Sequence, residues 1–119
     1  MAAFEQRRAW RRSPCRTRLL FTNAQVGTKP DGTTLATTID QTEVVFARIE
    51  AILQASNMEL KDVVRFNIYL TEQSDVKDVF GIRDRIMGDH KPAATILVVN
   101  GLARPGLKVE IEAVAAKTD

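Results

Sequence analysis

Cysteine and histidine are nearly absent from this sequence: each occurs once, as Cys15 and His90. A lone cysteine forms no internal disulfide, and this pair makes no C-x-x-C or H-x-x-H ligand set, so neither a disulfide framework nor a structural zinc is expected. The chain therefore reads as a cytoplasmic protein of a reducing compartment that needs no metal and no cofactor. Long apolar runs are absent too. Thr95 to Val99 falls far short of the roughly 20 residues that a bilayer crossing requires, and no membrane partner is expected. There is no internal repeat and no low-complexity linker. What is present, 119 residues of which 45% are hydrophobic, suffices for one compact core and is too short for two ordinary domains.

Acids are scarce where basic residues crowd. Arg7, Arg8, Arg11, Arg12, Arg16 and Arg18 stand in the first 18 residues beside a single acid, Glu5, whereas 11 basic residues meet 14 acidic ones from Leu19 onward. The division predicts a basic arm over residues 1–18 leading into one domain over residues 19–119. An Arg-rich, acid-poor start fits a mitochondrial transit peptide, but Glu5 and the lack of an amphipathic pattern speak against it. Nonspecific binding to nucleic-acid phosphates is a second reading. A solvated edge segment is the third and is adopted here, so no nucleic-acid partner is expected.

Along the chain, Leu19 to Thr22 predicts a short strand, and Pro30-Asp31-Gly32 a tight turn with room for a second strand beside it. Thr38 and Gln41 read as a capping box. The helix they open repeats Val45, Ile49 and Ile52, joined by Phe46 and Leu53, on one face, and Asn57 is its left-handed stop. Asp62 to Leu70 alternates, with Val64, Phe66, Ile68 and Leu70 facing one way and Val63, Arg65, Asn67 and Tyr69 the other. Ser74 and Asp75 open a second helix, with Val76, Val79, Phe80 and Met87 on one stripe. Thr95 to Val99 shows no alternation, as a strand buried on both faces would, one of them by a neighbouring subunit. After the Arg104-Pro105-Gly106 turn, Leu107 to Ala115 alternates cleanly, with Glu110 and Glu112 opposite Val109 and Ile111.

Two helices on one face of a mixed sheet make an α+β sandwich of ferredoxin-like or chorismate-mutase-like type. Its other face would leave Tyr69, Val63 and the non-alternating strand wet. A homo-oligomer that packs its sheets together is the expected remedy.

At this point a resemblance enters. Leu19-Leu20-Phe21-Thr22-Asn23-Ala24-Gln25-Val26-Gly27, Asp62-Val63-Val64-Arg65 with Tyr69-Leu70-Thr71, Lys91-Pro92-Ala93, and above all Lys108-Val109-Glu110-Ile111-Glu112-Ala113-Val114-Ala115 resemble the RidA/YjgF family, known also as L-PSP endoribonuclease. The likeness runs through about residues 10–116 in the same order. It implies a chorismate-mutase-like (YjgF-like) fold that trimerises through the sheet, with three clefts between subunits. In active members these clefts hydrolyse enamines or imines to a keto acid and ammonia. It also implies an arginine after the Pro-Ala pair that clamps the substrate carboxylate, a glutamate of the last strand that handles water or proton, a Ser-Gly pair, and an aromatic near the N-terminus.

Carried over singly, the glutamate matches Glu110 and Gln25 keeps its place. The arginine's position holds Ala94, followed by Thr95, so that KPAAT at residues 91–95 is the family's P-A-R-S site without its guanidinium. The Ser-Gly pair falls on Asn23 and Ala24, and the aromatic falls near Trp10, which has no phenol. With Phe80, these residues make up the substrate-binding set that the resemblance implies. Deleting one partner of a bidentate charge-assisted pair costs about 2–5 kcal/mol, so a substitute matters, and Arg104 and Arg65 are the two candidates.

Glu110 and Glu112 lie two apart on one strand, on the same face and roughly 6.5–7 Å apart. Such a pair is either a solvated strand face or a divided acid and base. His90 reads as a surface residue and Cys15 as no nucleophile. Three functions stay open: a divergent enzyme that hydrolyses a small reactive metabolite with Glu110 as acid/base, a non-catalytic trimeric ligand- or partner-binding protein, and an RNase or RNA-binding protein.

Overall fold

The computed structural model describes residues 16–119; Trp10, Cys15 and most of the arm lie outside them. Seven elements follow the expected order. They are β1 (Thr17–Phe21), β2 (Gln25–Val26), α1 (Thr38–Ala55), β3 (Val63–Leu70), α2 (Val76–Met87), β4 (Ala93–Val98) and β5 (Val109–Thr118). The sheet order is β1-β5-β3-β4, with β2 also on β5. β3 and β4 are parallel, joined by α2, and the other pairs are antiparallel. This is the mixed sheet with two helices that the sequence predicts. β1 starts at Thr17, before the break in composition at Leu19, and Arg18 is tied to Asp119 at 2.9 Å.

The core lies between helices and sheet. Val45, Phe46, Ile49 and Leu53 of α1 meet Phe66, Ile68 and Leu70 of β3 and Val109, Ile111, Ala113 and Ala115 of β5. Phe46 packs edge-on against Phe66, with ring centroids 5.5 Å apart. The alternating residues of β5 thus divide as expected. Asn57 stops α1 in the left-handed region at φ 57°, and Met58 N–H donates back to Leu53 O at 2.8 Å, which seats Met58 in the core.

Several local expectations are corrected. The N-cap of α1 is Thr37, whose hydroxyl accepts from Asp40 N–H at 3.1 Å. Gln41 does not cap at all. It is fully buried and bridges the chain, donating through Nε2 to Leu35 O at 2.8 Å and Gly106 O at 2.9 Å, and accepting from Lys108 N–H at 2.8 Å. Gly27 makes room for it, since a Cβ there would overlap Gln41.

β3 does not keep one alternation throughout. A bulge between Val63 and Arg65 puts Val63 and Phe66 inside and leaves Val64 exposed, because the extra residue reverses the facing of what precedes it. His90 is half-buried rather than a free surface residue. Its Nε2 lies 2.7 Å from Val63 O at the bulge.

A 3₁₀ turn over Gln73–Asp75 precedes α2, and the Asp75 carboxylate, rather than capping α2, accepts from the Thr38 hydroxyl at 2.6 Å. Ile82 takes the place in the core expected of Phe80. β4 forms an edge of the sheet: within one chain Val98, on the helix side, is 42% exposed, and Leu97, on the face expected to meet a neighbouring subunit, is 50% exposed.

Candidate functional site

Alternation along β5 turns Glu110, Glu112 and Val114 away from the helices, each half-buried. Register then fixes their neighbours. Glu110 stands between Tyr69 of β3 and Val26 of β2, Glu112 beside Asn67, and Val114 between Phe21 and Arg65. On the far side of β3, Arg65 pairs with Ala93 and Asn67 with Thr95. Non-local pairing thus gathers polar residues from three strands on the open face.

Their hydrogen bonds run as one chain. Arg65 Nε donates to Asn67 Oδ1 at 3.1 Å, and a second guanidinium nitrogen donates to the Thr95 hydroxyl. The Asn67 amide donates to Glu112 Oε1 at 3.1 Å, and the Tyr69 hydroxyl to the same oxygen at 3.4 Å. Glu112 is therefore held by two donors. Glu110, two residues away, has no side-chain donor among the described residues.

Tyr69 feels both carboxylates. The negative charge of Glu112 raises its pKa most, followed by partial burial, the hydrogen bond to Glu112 and the charge of Glu110. The phenol stays a donor through the neutral range. One carboxylate is thus bound and oriented, and the other carries no side-chain donor among the described residues.

The positions singled out from the sequence part company here. Asn23, Ala24 and Gln25 run alongside β5 from Ala113 to Ile111. Thr22 N–H donates to Ala113 O at 3.0 Å, Gln25 pairs with Ile111, and Gln25 Nε2 donates to Asn23 O at 3.2 Å. They border the carboxylates on one side, as Arg65 and Thr95 border them on the other.

Ala94 does not join this group. It pairs with Phe66, a core residue, so its methyl lies on the helix side of the sheet. Phe80 sits on the outer side of α2 with the Arg83 guanidinium 4.5 Å from its ring centroid, away from the open face. Arg104 lies at the pole where β3 ends and β5 begins. There a concavity of about 390 Å³ is lined by Arg104, Lys108, Thr71 and Glu72, with Gln41 bracing its Gly106–Lys108 wall. Trp10 is outside the described residues. Asn67 and Tyr69, which the sequence places on suitable faces without marking them as site residues, organise the cluster together with Glu112, the second carboxylate of the pair.

Among the described residues no group of three or more His, Cys, Asp or Glu side chains is arranged to hold a metal ion, and no helix is long and apolar enough to cross a membrane.

The endoribonuclease L-PSP family model matches residues 1–117. The chain belongs to that family. Protein HMF1 of Saccharomyces cerevisiae is 32% identical over 102 residues, which cover 85% of this chain and 78% of that protein. The solved structure of RidA from an Antarctic Psychrobacter superposes with a TM-score of 0.77 at 31% identity, over 82% of this chain and 79% of the other. A Mycobacterium tuberculosis structure described as a YjgF/YER057c/UK114 family member superposes with a TM-score of 0.73 at 32% identity, over 82% and 77%. The RidA/YjgF-like motifs of the sequence and the α+β fold therefore agree.

Proposed function

We propose that this protein binds a small enamine, imine or keto acid in clefts between packed copies of the chain, and hydrolyses the imine with Glu110 as acid and base. The observation that carries the reading is the division of labour on β5. Asn67 and Tyr69 hold Glu112 through one of its oxygens, while Glu110, half-buried on the same face, has no side-chain donor among the described residues. In the reaction, Glu110 takes a proton from water as its oxygen bonds to the imine carbon, and the proton goes to nitrogen. Glu110 then takes the hydroxyl proton of the carbinolamine and delivers it to nitrogen as the C–N bond breaks, so that ammonia leaves, the C=O forms and the keto acid remains. General acid–base catalysis of this kind contributes about 10²–10⁴-fold.

Support for clefts between copies comes from the apolar frame of the same face. Phe21 is 70% and Leu19 62% exposed, and with Leu97 they surround the polar cluster. Apolar surface so placed favours a packed partner, and the trimer implied by the family resemblance is the assembly adopted here. Partial closure of that face also strengthens every charge interaction within it.

The test is ammonia release from 2-aminoacrylate generated in situ, with wild type, Glu110→Gln and Ala94→Arg compared at equal oligomer content. Glu110→Gln abolishes turnover on this reading; retention of more than a tenth of the wild-type rate sinks it.

A non-catalytic binding protein is the second reading, favoured by one observation. Ala94 leaves the β4 position without the cation that the family resemblance implies. A ligand that raises the melting temperature and yields no product is its signature. The ribonuclease named by the family model does not lead. His90, the one histidine of the chain, is bound at the bulge, six residues and about 20 Å along β3 from the Tyr69 that pairs with Glu110.

A further inference from the structure

We infer that Arg65 is the anion receptor of this site, recognising the carboxylate of a keto or imino acid. The inference rests on the function proposed above and deepens it. Arg65 is exposed on the open face, and its guanidinium is fixed by two neutral acceptors, Asn67 Oδ1 and the Thr95 hydroxyl. No carboxylate among the described residues forms an ion pair with it, in contrast to Arg18, Arg83 and Arg85. Glu112, the carboxylate that Asn67 reaches, is already engaged by Asn67 and Tyr69.

A guanidinium offers five N–H donors, and two of them are used here. Of the three left, one on each terminal nitrogen makes the end-on fork that a carboxylate grips bidentately. The group is thus oriented without being neutralised. Orientation by uncharged partners removes much of the entropy a mobile arginine loses on binding.

Position fits as well. Arg65 pairs with Val114 through its backbone, but its side chain runs toward Asn67, level with Glu112. That sets the charge about one same-face step, roughly 7 Å, from the level of Glu110. The gap suits a three- or four-carbon keto acid with its carboxylate on Arg65 and an attacking water on Glu110. Contact with Thr95 brings the cation to the strand that carries Ala94, from the neighbouring strand and on the open face.

The experiment is an NMR titration of the full-length protein with pyruvate, the keto acid released from 2-aminoacrylate, on wild type and on Arg65→Gln, Arg65→Lys and Arg104→Gln. The expected result is a Kd at least about thirtyfold weaker in Arg65→Gln. Arg65→Lys, which keeps the charge and loses the fork, should fall between, and Arg104→Gln should match wild type. Superimposable amide spectra of the free variants show that the fold is intact.

Equal affinity in Arg65→Gln overturns the inference, as does loss confined to Arg104→Gln, which would move the receptor to the polar concavity, and so does a wild type that fails to bind pyruvate. None of these outcomes touches the turnover test on Glu110→Gln, so the assignment of Arg65 and the hydrolytic function can fail separately.

Discussion

Replacing Gln41 with leucine should cost this domain about 3 kcal/mol. The side chain is fully buried and closes three hydrogen bonds, two of them long-range: two carbonyls, of Leu35 and Gly106, accept from its amide, and its oxygen takes the Lys108 N–H. Leucine fills nearly the same volume and satisfies none of them. Each stranded backbone group costs about 1–3 kcal/mol. With about 1 kcal/mol for each carbonyl, which keeps other options, and about 2 for the N–H, the loss is about 4 kcal/mol. Burial of a more apolar side chain offsets about 1 of it.

In a domain of this size a net 3 kcal/mol lowers Tm by about 12 °C or more. Thermal unfolding followed by circular dichroism measures it, at one fixed protein concentration because any oligomer makes Tm depend on concentration. Hydrogen exchange at the Lys108 amide supplies a local readout. Protection there should drop in Gln41→Leu, and because Glu110 follows two residues later, at the start of β5, turnover should fall with it. A Tm loss below about 4 °C with the Lys108 amide still protected would refute the reasoning, since it would mean that water or a backbone shift replaces the bracket.

Gly27→Ala should be at least as damaging, by about 3 kcal/mol, since its Cβ overlaps the Gln41 backbone as well as the side chain; a denaturant midpoint unchanged from wild type would contradict the close approach. Tyr69, the one tyrosine in the chain, should ionise above the usual tyrosine value near 10, and Glu112→Gln should bring that value down, because the charge of Glu112 is the largest cause of the rise. Absorbance at the phenolate band reads this directly. The neutral phenol is the form the fold favours, so its contribution to stability is fully present below the unfolded value and is lost as pH rises through the higher folded one. Phe21→Asp should leave the fold of the chain intact, because that ring is 70% exposed, and should abolish self-association in analytical ultracentrifugation. A trimer that survives the charge would place the interface elsewhere.

What could be read from the sequence and what could not differ by the range of the interaction involved. Alternation along β5 needs only local geometry, and it correctly put Glu110 and Glu112 together, away from Val109 and Ile111. The turn at Gly32, with φ 89°, and the stop at Asn57 are local as well, and both stand as read. Register is another matter. Nothing within β3 or β5 alone says that Glu112 meets Asn67 rather than Arg65, yet that pairing decides which carboxylate is held and which is free. A single inserted residue at the bulge reversed the facing of Val63 and Val64 while leaving the rest of the strand as read. Gln41 shows the same limit from the other side. A glutamine three residues after a threonine satisfies a local capping rule, and the same side chain, one turn into a buried face, can satisfy three backbone groups outside the helix instead. The bridge prevails because the Gln41 amide is fully buried and finds its partners in the 35 and 106–108 segments, whereas Thr37 already caps the helix. Local pattern thus put the carboxylates on one face, and only the strand pairing shows that Arg65 joins them there, drawn toward Asn67 and Thr95, while Ala94 is turned to the helix side.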